Sequence, residues 1–187
     1  MRYKYKTFRE EEGKLINGII IPAIISNFNF WLTQIVIFAD GKINCWELVS
    51  FDQFKQMVYA DKILISVPDG SKLFLPNWGE IEINNFISYK TKEDFIIEVE
   101  DILNELNGKI SRTERCRTLF KEYLINPDNN TFTELKNEFK NLPNHKNVII
   151  DMVDYKDPLI GLMIRDEKFN FEQRKDFLDD YFDYELK

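Results

Sequence analysis

The chain opens with strand-like patterning and closes with helical patterning, and the two meet near residue 90. Between Leu15 and Ala39 there is no Asp, Glu, Lys or Arg. Roughly 20 consecutive apolar residues are enough to span a bilayer. Here, however, Asn17, Ser26, Asn27, Asn29, Thr33 and Gln34 interrupt the run, Pro22 sits inside it, and its Ile, Val and Phe residues favour strands. The pattern predicts two buried strands joined near Asn27. Phe30 to Phe38 is apolar on both alternating faces, as in a central strand covered on both sides.

Turn chemistry in Ala39-Asp40-Gly41-Lys42 then leads into a strand predicted over Ile43 to Val49. Ser50 followed by Gln53 has capping-box spacing, with Phe51, Phe54, Met57 and Val58 on one helical face. Lys62 to Val67 and Lys72 to Leu75 flank Pro68-Asp69-Gly70-Ser71, which reads as a second hairpin turn. Glu80 to Tyr89 alternates apolar and polar residues. The expected fold is α+β, with a largely antiparallel sheet of about five or six strands in the N-terminal half, the usual size of a sheet.

Past Tyr89 the period changes. Thr91 to Asp94 starts a helix with Phe95, Val99, Ile102, Leu103 and Leu106 as its stripe, and Asn107-Gly108 stops it. A second helix begins at Ser111 and ends before Asn126-Pro127; a third begins at Thr131 and ends before Pro143. Val148 to Val153 fits a strand or a helix, Asp157-Pro158 fits a helix start, and Asn170 to Gln173 begins a last helix. No Gly/Ser/Pro-rich linker separates the halves. The expectation is one domain over 1–187, strand-rich over 1–90 and helix-rich over 91–187.

Composition narrows the function classes. A net charge of -7 disfavours generic nucleic-acid binding, which requires counterion-releasing cations. The charged N-terminal residues leave no room for an apolar signal segment ahead of them, so a cytoplasmic setting is expected. Cys45 and Cys116 match no disulfide framework or zinc spacing; they read as buried thiols in a strand and a helix. The richness in Ile, Asn, Lys and Phe, with only a few Ala, resembles that of proteins encoded by AT-rich bacterial genomes.

Candidate chemistry is sparse. His145 is the only histidine, which excludes any site needing two imidazoles. Asp151, Asp154 and Asp157 are spaced by three; on a helix they would lie along one side, where carboxylates can hold a hard cation. That spacing supports a metal-dependent hydrolase or a small-ligand binder as the alternative function. Asp128, Asn129 and Asn130 resemble an oxygen-rich loop, although capping explains them more simply. Arg112, Arg115, Arg117 and Lys121 form the densest basic cluster, readable as an anion grip or as an ion-paired helix face.

The last helix interleaves Asp176, Asp179, Asp180, Asp183 and Glu185 with Phe177, Tyr181, Phe182 and Tyr184, an acidic and aromatic combination suited to a basic protein partner. Trp78, in Pro76-Asn77-Trp78-Gly79, is the other candidate, because tryptophan is enriched in interface hot spots. In composition and size alone the chain resembles small acidic bacterial proteins, including immunity proteins that neutralise a cognate toxin. The leading expectation is a non-enzymatic protein-binding module, immunity- or inhibitor-like. It would act without cofactor, nucleic acid or membrane, through Trp78 and Asp176, Asp179, Asp180 and Asp183.

Overall fold

A long hairpin organises the N-terminal half. In the computed structural model, which describes residues 5–88, 90–142, 158–164 and 167–184, β2 (Lys14–Asn27) and β3 (Asn29–Phe38) pair antiparallel from Gly18↔Phe38 to Asn27↔Asn29. The turn is made at Phe28, whose φ of 57° lies in the left-handed region. The uncharged run is therefore a strand pair, and among the described residues no helix is long and apolar enough to cross a membrane.

The hairpin is shared by two sets of short strands. At its base β1 (Tyr5–Glu11) lies against β2, while β4 (Lys42–Asn44) and β5 (Leu48–Ser50) follow β3 outward. At its tip β6 (Ile63–Leu64) takes the edge of β2 that β1 leaves open. On the other side β7 (Ser71–Leu75) runs parallel to β3 at Phe30 and Trp31, and β8 (Gly79–Ile83) returns antiparallel to β7. The result is an α+β chain that has, among the described residues, one largely antiparallel sheet of eight strands, several of them short.

Odd-numbered residues of the hairpin face the main core. Ile19, Ile21, Ala23, Ile25, Ile35 and Ile37 are buried with Ile43, Cys45 and Val49, beneath Phe54 and Val58 of α1 (Phe51–Tyr59) and Phe95, Val99 and Ile102 of α2 (Lys92–Leu106). The even face is covered only in part. Ile24, Val67 and Leu73 form a small cluster with Phe30 at the tip, whereas Pro22, Leu32 and Gln34 in the middle are exposed. The strand expected to be covered on both sides is buried on its odd face at Ile35 and Ile37, and at Phe38, and only partly covered elsewhere.

Local hydrogen bonding places the helices where the sequence predicts them. The capping boxes Ser50/Gln53, Thr91/Asp94 and Asn170/Gln173 are all formed, and Asn107-Gly108 ends α2 with Gly108 at φ 69°. Four expectations are corrected. Ile43 to Val49 is two strands, because Cys45 donates its N–H to the Glu47 carbonyl (3.0 Å) and Trp46 turns the chain at φ 74°. Cys45 accordingly lies in a turn, not a strand. Pro68 to Ser71 is a turn but joins no hairpin, since β6 and β7 pair with opposite sides of the β2–β3 hairpin. The strand expected to reach Tyr89 ends at Ile83, and Asn85, at φ 58°, instead donates its N–H to the Asp69 carboxylate (2.9 Å).

The chain divides into two compact units, Met1–Lys109 and Ile110–Lys187. The first holds a sheet layer and a helical layer of its own, so the change of period near residue 90 and the division between units do not coincide. The second comprises α3 (Arg112–Ile125), α4 (Asn129–Lys140), α5 (Pro158–Ile164) and α6 (Phe171–Phe182) around Cys116, Phe120, Leu124, Leu135, Leu159, Leu162 and Leu178. α4 starts two residues earlier than Thr131 because Asp128 is its cap. Val148 to Val153 and the residue before Pro158 lie outside the described residues.

Candidate interaction surface

Trp78 sits at the tip of the β7–β8 hairpin. Its N–H donates to the Leu75 carbonyl (3.0 Å), and the turn is closed by Asn77 at φ 65° and Gly79 at φ 115°. An amide side chain and a glycine tolerate these left-handed conformations, and the indole between them is 89% exposed. The strand that follows presents Glu80, Ile81 and Glu82 to solvent. Lys72, on β7, bonds Glu80 at 2.6 Å, and this bond raises the lysine's pKa from its ordinary value.

Two other turns of the first unit also carry exposed aromatics, Phe28 on the β2–β3 turn and Trp46 on the β4–β5 turn. Trp46 meets Trp31 edge-on at 6.2 Å, and Trp31 stacks on Phe74 of β7 at 4.8 Å. An aromatic ledge therefore runs from the β4–β5 turn to the hairpin that bears Trp78. Of these residues the sequence singles out Trp78. Phe28, Trp46, Glu80 and Glu82 lack a distinguishing local signal, because exposure of a turn and the edge position of a strand depend on long-range pairing.

In the second unit Asp176, Asp179 and Asp180 point to solvent on α6, and Asp183 ends the helix in a left-handed conformation at φ 48°. Three of the interleaved rings do not join them on that surface, since Phe177, Tyr181 and Phe182 pack against the helical core, whereas Tyr184 is exposed. Carboxylates in the last turns of a helix oppose its macrodipole, and α6 has no basic residue there. The compensating cations come from α3. The Arg117 guanidinium donates to the Tyr181 carbonyl (3.0 Å) and lies 5.4 Å from the Phe182 ring, while the Lys121 ammonium stands 5.0 Å from Tyr184. Arg115 bonds Glu138 of α4 at 3.1 Å. These contacts fit the ion-paired helix face better than an anion grip.

The remaining candidates resolve as follows. Asp128 caps α4, accepting from Asn130 N–H, Thr131 N–H and the Thr131 hydroxyl; the hydroxyl bond comes first in holding its carboxyl below the ordinary range. Cys45 is buried, and burial, reinforced by Glu47, pushes its thiol up to about 11, far from a thiolate at neutral pH. A cavity of about 250 Å³ beside Pro22, Leu32 and Phe86 is mainly apolar, and its lysine, Lys90, is already bonded to Glu98 at 2.6 Å. Among the described residues no group of three or more His, Cys, Asp or Glu is placed to hold a metal ion. Asp151, Asp154, Asp157 and His145 lie outside the described residues.

No curated protein and no solved structure matches this chain. Residues 6–110, nearly the whole of the first compact unit and more than half of the chain, match the family described as domain of unknown function (DUF7638), and the chain belongs to that family.

Proposed function

We propose that this chain is a non-enzymatic protein-binding module, immunity- or inhibitor-like, acting in a bacterial cytoplasm through an acidic and aromatic surface centred on the β7–β8 hairpin. One observation carries the reading: Trp78 is 89% exposed on a turn whose backbone is held by hydrogen bonding rather than by burial of its indole. A side chain with so little packing contributes little to the fold. Tryptophan is nonetheless the residue type most enriched where binding energy concentrates, and the neighbouring Glu80 and Glu82 favour a basic partner. The α6 carboxylates Asp176, Asp179, Asp180 and Asp183 provide a second acidic surface for the same class of partner.

The test is capture from the source organism's lysate at low and high salt, with wild-type chain and Trp78→Ser side by side. The expected result is a stoichiometric protein retained at low salt and released at high salt, with affinity reduced about thirtyfold in Trp78→Ser, the scale of a hot-spot loss. Unfolding free energy should stay within about 0.5 kcal/mol of wild type, as for a surface change. Retention of no protein, or equal retention by the variant, would remove the hairpin from the function.

A further inference from the structure

The β7–β8 hairpin also suggests how a partner binds. Among the described residues β8 pairs with β7 alone, so its other side is an edge of the sheet. The Ile83 carbonyl accepts from Gly70 N–H at 2.8 Å, which fixes the phase of the ladder. Backbone groups of Gly79, Ile81 and Ile83 turn toward β7, and those of Glu80 and Glu82, one residue out of phase, turn outward. Proteins blunt such edges with lysine, proline, bulges or very short strands. β5 and β6 are only three and two residues long, whereas β8 has five residues and neither lysine nor proline.

Its guards are the two glutamates, and they are selective. A second copy adding antiparallel about Ile81 would set Glu80 of one chain against Glu82 of the other, twice, and like charges directly opposite destabilise a strand pair. The same positions favour a strand bearing cations. Lys72 bonds Glu80 and lies directly across from Glu82, so one lysine is set against two carboxylates and a negative charge remains on that face. Ile81, 44% exposed, faces the other way beside Leu73 and offers an apolar neighbour.

We infer that an extended segment of a basic partner adds to the sheet as a further strand along β8, with Lys or Arg at alternate positions opposite Glu80 and Glu82 and an apolar residue between them beside Ile81. This rests on the protein-binding reading above and gives it a mode, strand addition, in which main-chain bonds supply affinity and alternate side chains supply specificity.

The experiment titrates the full-length, isotope-labelled chain with two capped octapeptides, one alternating Lys and Val and one alternating Glu and Val. The Lys–Val peptide is expected to bind and to slow hydrogen exchange at the Glu80 and Glu82 amides, and the Glu–Val peptide to do neither. Glu82→Pro removes an outward N–H while leaving the β7 ladder intact, and should weaken binding about tenfold or more. Because proline could disturb the hairpin, Glu80→Lys with Glu82→Lys provides the second arm, in which peptide preference should reverse. Unchanged binding by both variants, or binding without protection of the β8 amides, would overturn the inference. So would protection that grows with chain concentration in the absence of peptide, because a second copy would then occupy the edge. In lysate capture, a partner lost by Trp78→Ser but kept by Glu82→Pro would overturn strand addition while leaving the protein-binding reading intact. Absence of any partner would overturn that reading, and the peptides would then decide strand addition on their own.

Discussion

The two units treat their aromatic and charged residues in opposite ways. In the sheet unit, Phe28, Trp46 and Trp78 stand exposed on turns with left-handed backbone, and Glu47 and Glu80 follow the two tryptophans closely in the chain. In the helical unit, Phe120, Phe169, Phe177, Tyr181 and Phe182 form a chain of ring contacts, and Arg117 and Lys121 lie over the Phe182 ring. Charge interleaved with aromatics thus has two meanings. At helical spacing the rings turn inward and recruit cations from a neighbouring helix. On turns between strands no neighbouring layer claims them, and they remain available to a partner.

The sharpest way to break this comparison is to open each core in turn. Phe54 is fully buried against Phe95 at 5.8 Å, and Phe120 is fully buried in the helical unit. Each substitution to alanine is expected to cost about 3–5 kcal/mol, the usual range for a buried phenylalanine. Tryptophan fluorescence reads the first unit alone, because Trp31, Trp46 and Trp78 are the chain's three tryptophans and all lie there, whereas helical circular dichroism reads α1 and α2 as well as the second unit. Phe54→Ala should lower the denaturant midpoint read by tryptophan fluorescence, and Phe120→Ala should lower the helical midpoint while leaving the tryptophan midpoint in place. Displacement of the tryptophan midpoint by Phe120→Ala would dissolve the distinction between two separately cored units.

A smaller effect tests the partly open face of the sheet. Phe38 lies flat against β2 because Gly18 has no side chain: a Cβ there would stand 2.9 Å from the ring. The ring in turn carries Arg9 at 5.1 Å, which is bonded to Glu11 and Asp40. Gly18→Ala should gain in strand propensity yet be destabilising by about 1–3 kcal/mol, because the ring must lift and the arginine with it. Paired with Phe38→Leu, the alanine should cost less, and equilibrium unfolding of the double mutant measures the coupling. Full additivity would mean that the glycine serves the strand rather than the ring.

How much of this was legible follows the range of the interactions. The three capping boxes are closed by residues three apart, so Ser50, Thr91 and Asn170 announce their helices in the sequence. The long hairpin is legible for the same reason, since neighbouring apolar runs pair through a short turn. The partners of β6 and β7 are not, because what selects them is the unpaired length of β2 and β3 beyond β1 and β4, a property of the assembled sheet. The turn at Trp46 is hidden as well: Asn44-Cys45-Trp46-Glu47 contains neither glycine nor proline. At the candidate surface, Pro76-Asn77-Trp78-Gly79 marks the exposed indole through turn chemistry. Glu80 and Glu82 look like any alternating strand until β8 is seen to be an edge.

The smallest effect sharpens the comparison through pH. Asp128 holds the first turn of α4 with its carboxylate, and the Thr131 hydroxyl and the backbone N–H groups keep that carboxyl below its ordinary value of 3.8. A depressed carboxyl favours the folded state above the unfolded pKa, and that contribution is lost as pH falls through the folded value. Asparagine caps about as well as aspartate but does not titrate. Asp128→Asn should therefore leave the helical signal near wild type at neutral pH and flatten its loss below pH 3.8. Tryptophan fluorescence, which reads the sheet unit, should follow the same acid profile in both proteins. If the variant instead lost helical signal in parallel with wild type, the acid sensitivity of the helical unit would have to arise from carboxylates other than its cap.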